Sequence, residues 1–204
     1  RIAGSVEEKY DAESCRIAVN GEELPIRRHT YVMLHKPSGV LSATEDGRGR
    51  TVLDLLTPEL RKIGVFPVGR LDKDTEGLLL LTDDGELAHA LLSPKKHVDK
   101  VYYARVSGRL TPEDCAAFEA GMTLGDGLEC LPAGLEVLTA GETSECLVTL
   151  REGKFHQVKR MLAARGKPVA YLKRLSMGPL RLDDTLAPGE FRLLTAAEEA
   201  QLQR

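Results

Sequence analysis

Apolar and polar positions along this chain switch between three rhythms. Leu78 to Leu81 form an unbroken apolar run bounded by turn residues, the pattern of a strand buried on both faces. "KVYYARVSG" (100–108) alternates as a half-buried strand does, and "ECLVTL" (145–150) reads as another strand. Residues 16–35 read as short strands around an Asn20-Gly21 hairpin turn, and "HKPSG" (35–39) as a turn-rich loop. Helical signals mark other segments. "TVLDLLTPEL" (51–60) has helical spacing broken near Pro58, and in "DGELAHALLSP" (84–94) Asp84 can cap a helix that Pro94 stops. "TPEDCAAFEAGM" (111–122) carries Thr111 as N-cap, Pro112 at the first position, Asp114 three residues after the cap and Gly121 as the stop. "HQVKRMLAARG" (156–166) predicts a helix ended by Gly166, "PVAYLKRLSMGPLRL" (168–182) a strand, turn and strand, and "TAAEEAQLQR" (195–204) a terminal helix. With no regular strand–helix–strand alternation, the expectation is an α+β fold with a mostly antiparallel sheet.

Composition changes this picture little. The 204 residues are 42% hydrophobic and 29% charged, ordinary values for a globular chain, and no apolar run approaches the roughly 20 residues of a membrane helix. The first fifteen residues hold Glu7, Glu8, Asp11 and Glu13 rather than the apolar core of a signal peptide. The chain starts at Arg1, and the expectation is a fragment of a longer protein. Cys15, Cys115, Cys130 and Cys146 are scattered without a C-x-x-C pair, so they read as reduced structural thiols of a cytoplasmic protein rather than zinc ligands.

Charge distribution matters more. The formal net charge is −3, yet residues 151–181 carry nine Lys and Arg against one acid, Glu152. Such a block is either a solvated basic face or the footprint of a polyanionic partner, and its length favours the second. Phosphate-loop, dinucleotide, zinc-protease and serine-hydrolase motifs are all absent. What remains is Asp72, in "GRLDKDTEGLLLL", two residues after Arg70 and just ahead of the apolar strand. Taken alone, an Asp in such a loop is a turn or capping residue. Half-buried beside a cation, it stays ionised and can act as nucleophile or general base.

The stretch "GRLDKDTEGLLLLTDDGELAHALLSPKKHVDKVYYARVSG" strongly resembles the signature region of the bacterial pseudouridine synthases that modify ribosomal RNA. The likeness includes "HKPSG" and resumes in "REGKFHQVKRMLAARGKPVAYLKRLSMGPLRLDDTLAPGEFRLL", spanning roughly residues 29 to 194. "SPKKHVDKVY" is most similar to the subfamily acting on small-subunit (16S) rRNA. The resemblance implies the family's catalytic fold over residues 29–204, a mixed sheet flanked by helices. Residues 1–28 would be the tail and linker of a small N-terminal RNA-binding domain, with its helical first half absent. It also implies isomerisation of uridine to pseudouridine without metal or other cofactor, and ribosomal RNA as partner; apart from the resemblance, the expectation is a cytoplasmic monomer.

Residue by residue, Asp72 matches the family's essential aspartate, Lys159 the basic position paired with it, and Tyr102 the active-site tyrosine, whose ring can stack on an extruded uracil. The alternatives are a phosphate contact for Lys159 and core filling for Tyr102; Tyr103, on the opposite face, is the better candidate for core filling. Arg70 matches the arginine beside the aspartate, filling the flipped base's place or binding phosphate. Lys36, Lys154, His156, Arg160, Lys173 and Arg174 are expected RNA contacts, and Pro37 shapes the loop beside Lys36. His156 has helix capping as its alternative, while His35, His89 and His97 read as structural or surface residues. Leu175 and Met177 are expected to line the pocket floor, with ordinary core packing as the alternative. Rival readings are an RNA-binding or ribosome-assembly factor on the same scaffold, a synthase for large-subunit rRNA, and a hydrolase using Asp72 with Asp74, Asp83 or Asp84. The joint presence of Asp72, Tyr102 and Lys159 favours the synthase.

Overall fold

The structure is a computed structural model that describes residues 17–19, 22–24, 28–47 and 49–202. The expected N-terminal domain tail lies largely outside these residues, as do Cys15 and the Asn20-Gly21 turn. β1 (Ile17–Val19) and β2 (Glu22–Leu24) pair antiparallel with Val19 opposite Glu22, as a two-residue hairpin requires. There follow β3 (Tyr31–Lys36), α1 (Pro58–Ile63), β4 (Phe66–Pro67), β5 (Glu76–Thr82), α2 (Gly85–Leu92), β6 (Lys100–Ser107) and α3 (Pro112–Ala120). β7 (Met122–Thr123), β8 (Glu129–Cys130), β9 (Gly134–Thr139), β10 (Thr143–Leu150) and α4 (Gln157–Ala164) come next. The chain closes with β11 (Val169–Met177), β12 (Leu180–Arg181), β13 (Phe191–Leu193) and α5 (Ala196–Leu202).

The main sheet runs in the order β13-β3-β5-β11-β6-β10-β9, with β4 beside β5 and β12 beside β11. Its pairs are antiparallel except β5 with β11, so the α+β expectation holds. That parallel pair needs Gly77: its φ is +107° and any Cβ there would collide with the Arg174 backbone.

β5 shows why four leucines stand in a row. Leu79 and Leu81 face one core with Tyr102, Val158 and Leu162, while Leu78 and Leu80 face a second with Met33, Leu91 and Leu202. All four are fully buried, each stabilising the fold by about 2 kcal/mol. β6 buries one face only: Tyr102, Ala104 and Val106 are buried, whereas Tyr103 lies half-buried against Tyr171 on the reverse side. Tyr103 therefore does not fill a core as expected.

The helix signals act as read. Asp84 accepts from Leu87 N at 3.0 Å, and Thr111 and Asp114 form a reciprocal capping box. The helical spacing over 51–60 breaks near Pro58 as expected, into a 3-10 turn, Val52–Leu55, and α1, because Pro58 can begin a helix but not sit inside one. The strands β4, β7, β8, β9 and β13 had no clear periodic signal. Cys115, Cys130 and Cys146 are free thiols.

Candidate active site

The loop before β5 is held from several sides. Leu71 N donates to Ser42 Oγ at 3.1 Å, and Ser42 Oγ donates back to Leu71 O at 2.9 Å. Gly39 N reaches Lys73 O at 2.8 Å, and Thr75 N closes a turn on Asp72 O at 3.0 Å. Beneath the loop, Lys36 is fully buried and its Nζ donates to Pro37 O, Lys73 O and Thr75 O at 3.0, 3.1 and 2.9 Å. Burial pulls its pKa down to about 8, against the raising effect of Asp74 and Asp72. Lys36 was expected at a phosphate, but its ammonium donors are spent on three carbonyls inside the protein.

The loop aims Asp72 at the first turn of α4. Lys159 Nζ lies 3.0 Å from Asp72 Oδ2 and 2.5 Å from Asp74 Oδ1, and His156 Nε2 lies 3.5 Å from Asp72 Oδ1. Burial opposes the charge on Lys159, but the bonds to Asp74 and Asp72 outweigh it and raise its pKa. Asp74 is correspondingly lowered, chiefly by its bond to Lys159. The Asp72 side chain is 24% exposed, so its charge carries a desolvation cost that the Lys159 ammonium offsets. His156 occupies the N-cap of α4 in a left-handed conformation (φ +50°), but its side chain makes no capping bond; it turns to Asp72 instead. Its ring stacks on Phe155 with centroids 3.8 Å apart, and Phe155 is 70% exposed.

Asp72, Tyr102, Arg70, Lys154 and His156 line one cavity of about 70 Å³, closed by Leu71, Leu150, Val158 and Leu172. At about 30 Å³ per water in the liquid, that is room for about two water molecules. A wider groove of about 590 Å³ adjoins it, shared by Arg70, Asp72, Lys73, Phe155 and His156. An oriented, charge-paired carboxylate stands at a small cavity whose walls combine an aromatic ring and branched aliphatic chains with the polar side chains of Arg70, Lys154, His156 and Gln157. Such a group can attack an electrophilic carbon or take a proton from a flat ring held there.

Other expected residues lie elsewhere. Arg174 is 2% exposed and donates Nε to Leu78 O at 2.8 Å, so it serves the sheet rather than RNA. Lys173 stands opposite Tyr103 and Glu76 in the strand register, away from the cavity. Leu175 and Met177 do not form the pocket floor. β11 bulges between Arg174 and Ser176, which breaks the alternation; Leu175 lines a separate groove with Val101 and Leu147, and Met177 enters the core with Leu78 and Leu80. Leu172, two residues before Arg174, takes the wall position instead. Sequence reading also missed Thr75 and Phe155, and named Asp74 only as a partner of Asp72 in the hydrolase reading; Thr75 and Asp74 lie within three residues of Asp72, the only available signal.

The basic block is less free than its sequence suggests. Arg151 meets Asp99 at 2.9 Å, Lys154 meets Glu152 at 3.2 Å, Arg160 meets Asp126 at 2.5 Å and Arg165 meets Asp114 at 2.8 Å. Lys154 also donates to Glu129 O. Acids from distant segments thus offset much of the local excess.

The family profile described as RNA pseudouridylate synthase matches residues 30–164. The chain belongs to this family, enzymes that isomerise uridine within RNA to pseudouridine. Its relatives include an uncharacterized RNA pseudouridine synthase of Bacillus subtilis, 50% identical over 96% of this chain and 82% of that one. A ribosomal small subunit pseudouridine synthase A of Vibrio cholerae is 42% identical over 95% of this chain and 82% of that one. A crystal structure of a pseudouridylate synthase superposes with a TM-score of 0.80 at 36% identity, covering 97% of this chain and 84% of that chain.

Proposed function

We propose that this protein converts one uridine of small-subunit ribosomal RNA to pseudouridine, with Asp72 as nucleophile, Lys159 holding its charge and Tyr102 stacking on a base drawn out of the RNA. The observation that carries the reading is the ion-paired Asp72 sharing one cavity with Tyr102, where a wider groove opens beside it. The Vibrio relative's name supports the small-subunit substrate. In the reaction the N1–C1′ bond breaks, the uracil turns, and a C5–C1′ bond forms; C5 loses a proton and N1 gains one. Atoms balance with no oxidant, reductant or metal. Arg70, Lys154, His156 and Arg160 border the cavity or the adjoining first turns of α4 and are the RNA contacts of this reading. In this reading the enzyme acts as a monomer, in the cytoplasm where ribosomes assemble.

The test is pseudouridine mapping of ribosomal RNA from cells with the protein, without it, and with only Asp72→Ala. One small-subunit site should vanish in the second and third cells, with turnover of the purified variant reduced at least about a thousandfold and RNA binding retained. An unchanged map, or a variant that restores it, overturns the proposal; a lost large-subunit site overturns the choice of substrate.

A further inference from the structure

Four side chains among the described residues have a buried polar atom without a hydrogen-bond partner: His29, His35, Thr75 and Arg174. Of these, Thr75 alone lines the cavity shared by Asp72 and Tyr102. The residue is 1% exposed, and its backbone is fully engaged: N–H donates to Asp72 O at 3.0 Å, and C=O accepts from Lys36 Nζ at 2.9 Å. The idle hydroxyl is therefore no sign of a loose segment; it is held in place and unpaired. A buried hydroxyl without a partner costs about 1–3 kcal/mol. Valine has the same branched shape and would meet the demands of the start of a strand without that cost. A hydroxyl that gains nothing from the protein points to a partner that comes and goes.

We propose that the Thr75 hydroxyl is a substrate contact, hydrogen-bonding the uracil held beside Asp72. The inference rests on the reading of that cavity as the uridine site. Uracil presents two carbonyl oxygens around an N–H, and a hydroxyl can donate to the first or accept from the second. Neither a carboxylate nor an ammonium can do both. A group that switches between donor and acceptor can stay bonded while the base turns from its N1 to its C5 linkage, which a fixed donor could not.

Thr75→Val removes the hydroxyl and keeps the shape, while Thr75→Ser keeps the hydroxyl. Thr75→Val should lower kcat/KM on unmodified small-subunit rRNA transcript by about tenfold, with a melting temperature equal to or above that of the parent; Thr75→Ser should restore most of the rate. A fall in melting temperature matching the loss of rate, or full activity in Thr75→Val, overturns the proposal. Binding of uridine 5′-monophosphate, followed by NMR titration, separates this proposal from the function it rests on. Weaker binding by Thr75→Val than by the parent sustains the contact even if rRNA is not the substrate. Equal binding, or none by the parent, overturns it.

Discussion

Two lysines grip the same loop from opposite sides, and their contrast shows how surroundings assign a role. Lys36 comes up from β3 into a closed space, bonds three backbone carbonyls, and is pulled toward neutrality by burial. Lys159 comes from α4 to a half-open space, bonds the carboxylates of Asp72 and Asp74, and is held more firmly charged. Both sense Asp72 and Asp74, yet one fixes backbone and the other fixes side-chain charge. The floor of the site is a matter of folding, and its roof a matter of chemistry.

Substitution should separate the two. Lys36→Met leaves three carbonyls without their donor and should cost about 3 kcal/mol of stability, read by denaturant unfolding, with turnover per folded molecule falling less than tenfold. Lys159→Met should do the reverse. Its ion pairs are partly exposed and stabilise little, so unfolding should shift by less than about 1 kcal/mol. Turnover should drop about a hundredfold as Asp72 loses its orientation, while RNA affinity changes less. A loss of affinity alone would make Lys159 a phosphate contact and erase the contrast.

The smallest effect is on pH. The folded pKa of Lys36, about 8, lies below its ordinary 10.5. Between those values the unfolded chain binds a proton that the folded one has released, so this group adds stability as pH rises through the window. Lys159 has the opposite sign: raised in the folded state, it contributes below its ordinary value and is lost only at more alkaline pH. The stability difference between the parent and Lys36→Met should widen from pH 7.5 to pH 10, and that between the parent and Lys159→Met should stay flat.

Much of this architecture was legible in the residue pattern. β5 and β6 announce themselves, one by four leucines and one by alternation, and the caps of α2 and α3 are written in Asp84, Thr111 and Asp114. Asp72, Tyr102 and Lys159 were singled out through the family resemblance; the fold brings Asp72 and Tyr102 to one cavity and pairs Lys159 with Asp72 outside its lining. The failures share a cause. Pattern reveals charge but not burial, so Lys36 and Arg174 looked like phosphate contacts when they serve the interior. Pattern cannot show a bulge, so the alternation of β11 misplaced Leu175 and Met177. Nor can it show that Asp99, Asp114 and Asp126 return from distant segments to meet Arg151, Arg165 and Arg160. The short strands between 122 and 139 are rich in glycine and polar residues and carry no period to read.

The parallel pairing of β5 with β11 has a consequence for how the enzyme comes into being. Lys159 and its carboxylate partner Asp74 stand 85 positions apart, and they meet only when β11 has slotted between β5 and β6. Closing so long a loop is slow and comes late. A chain still emerging from the ribosome therefore carries its aspartate without its lysine, and acquires chemical competence only after β11 has been made and has paired with β5 and β6.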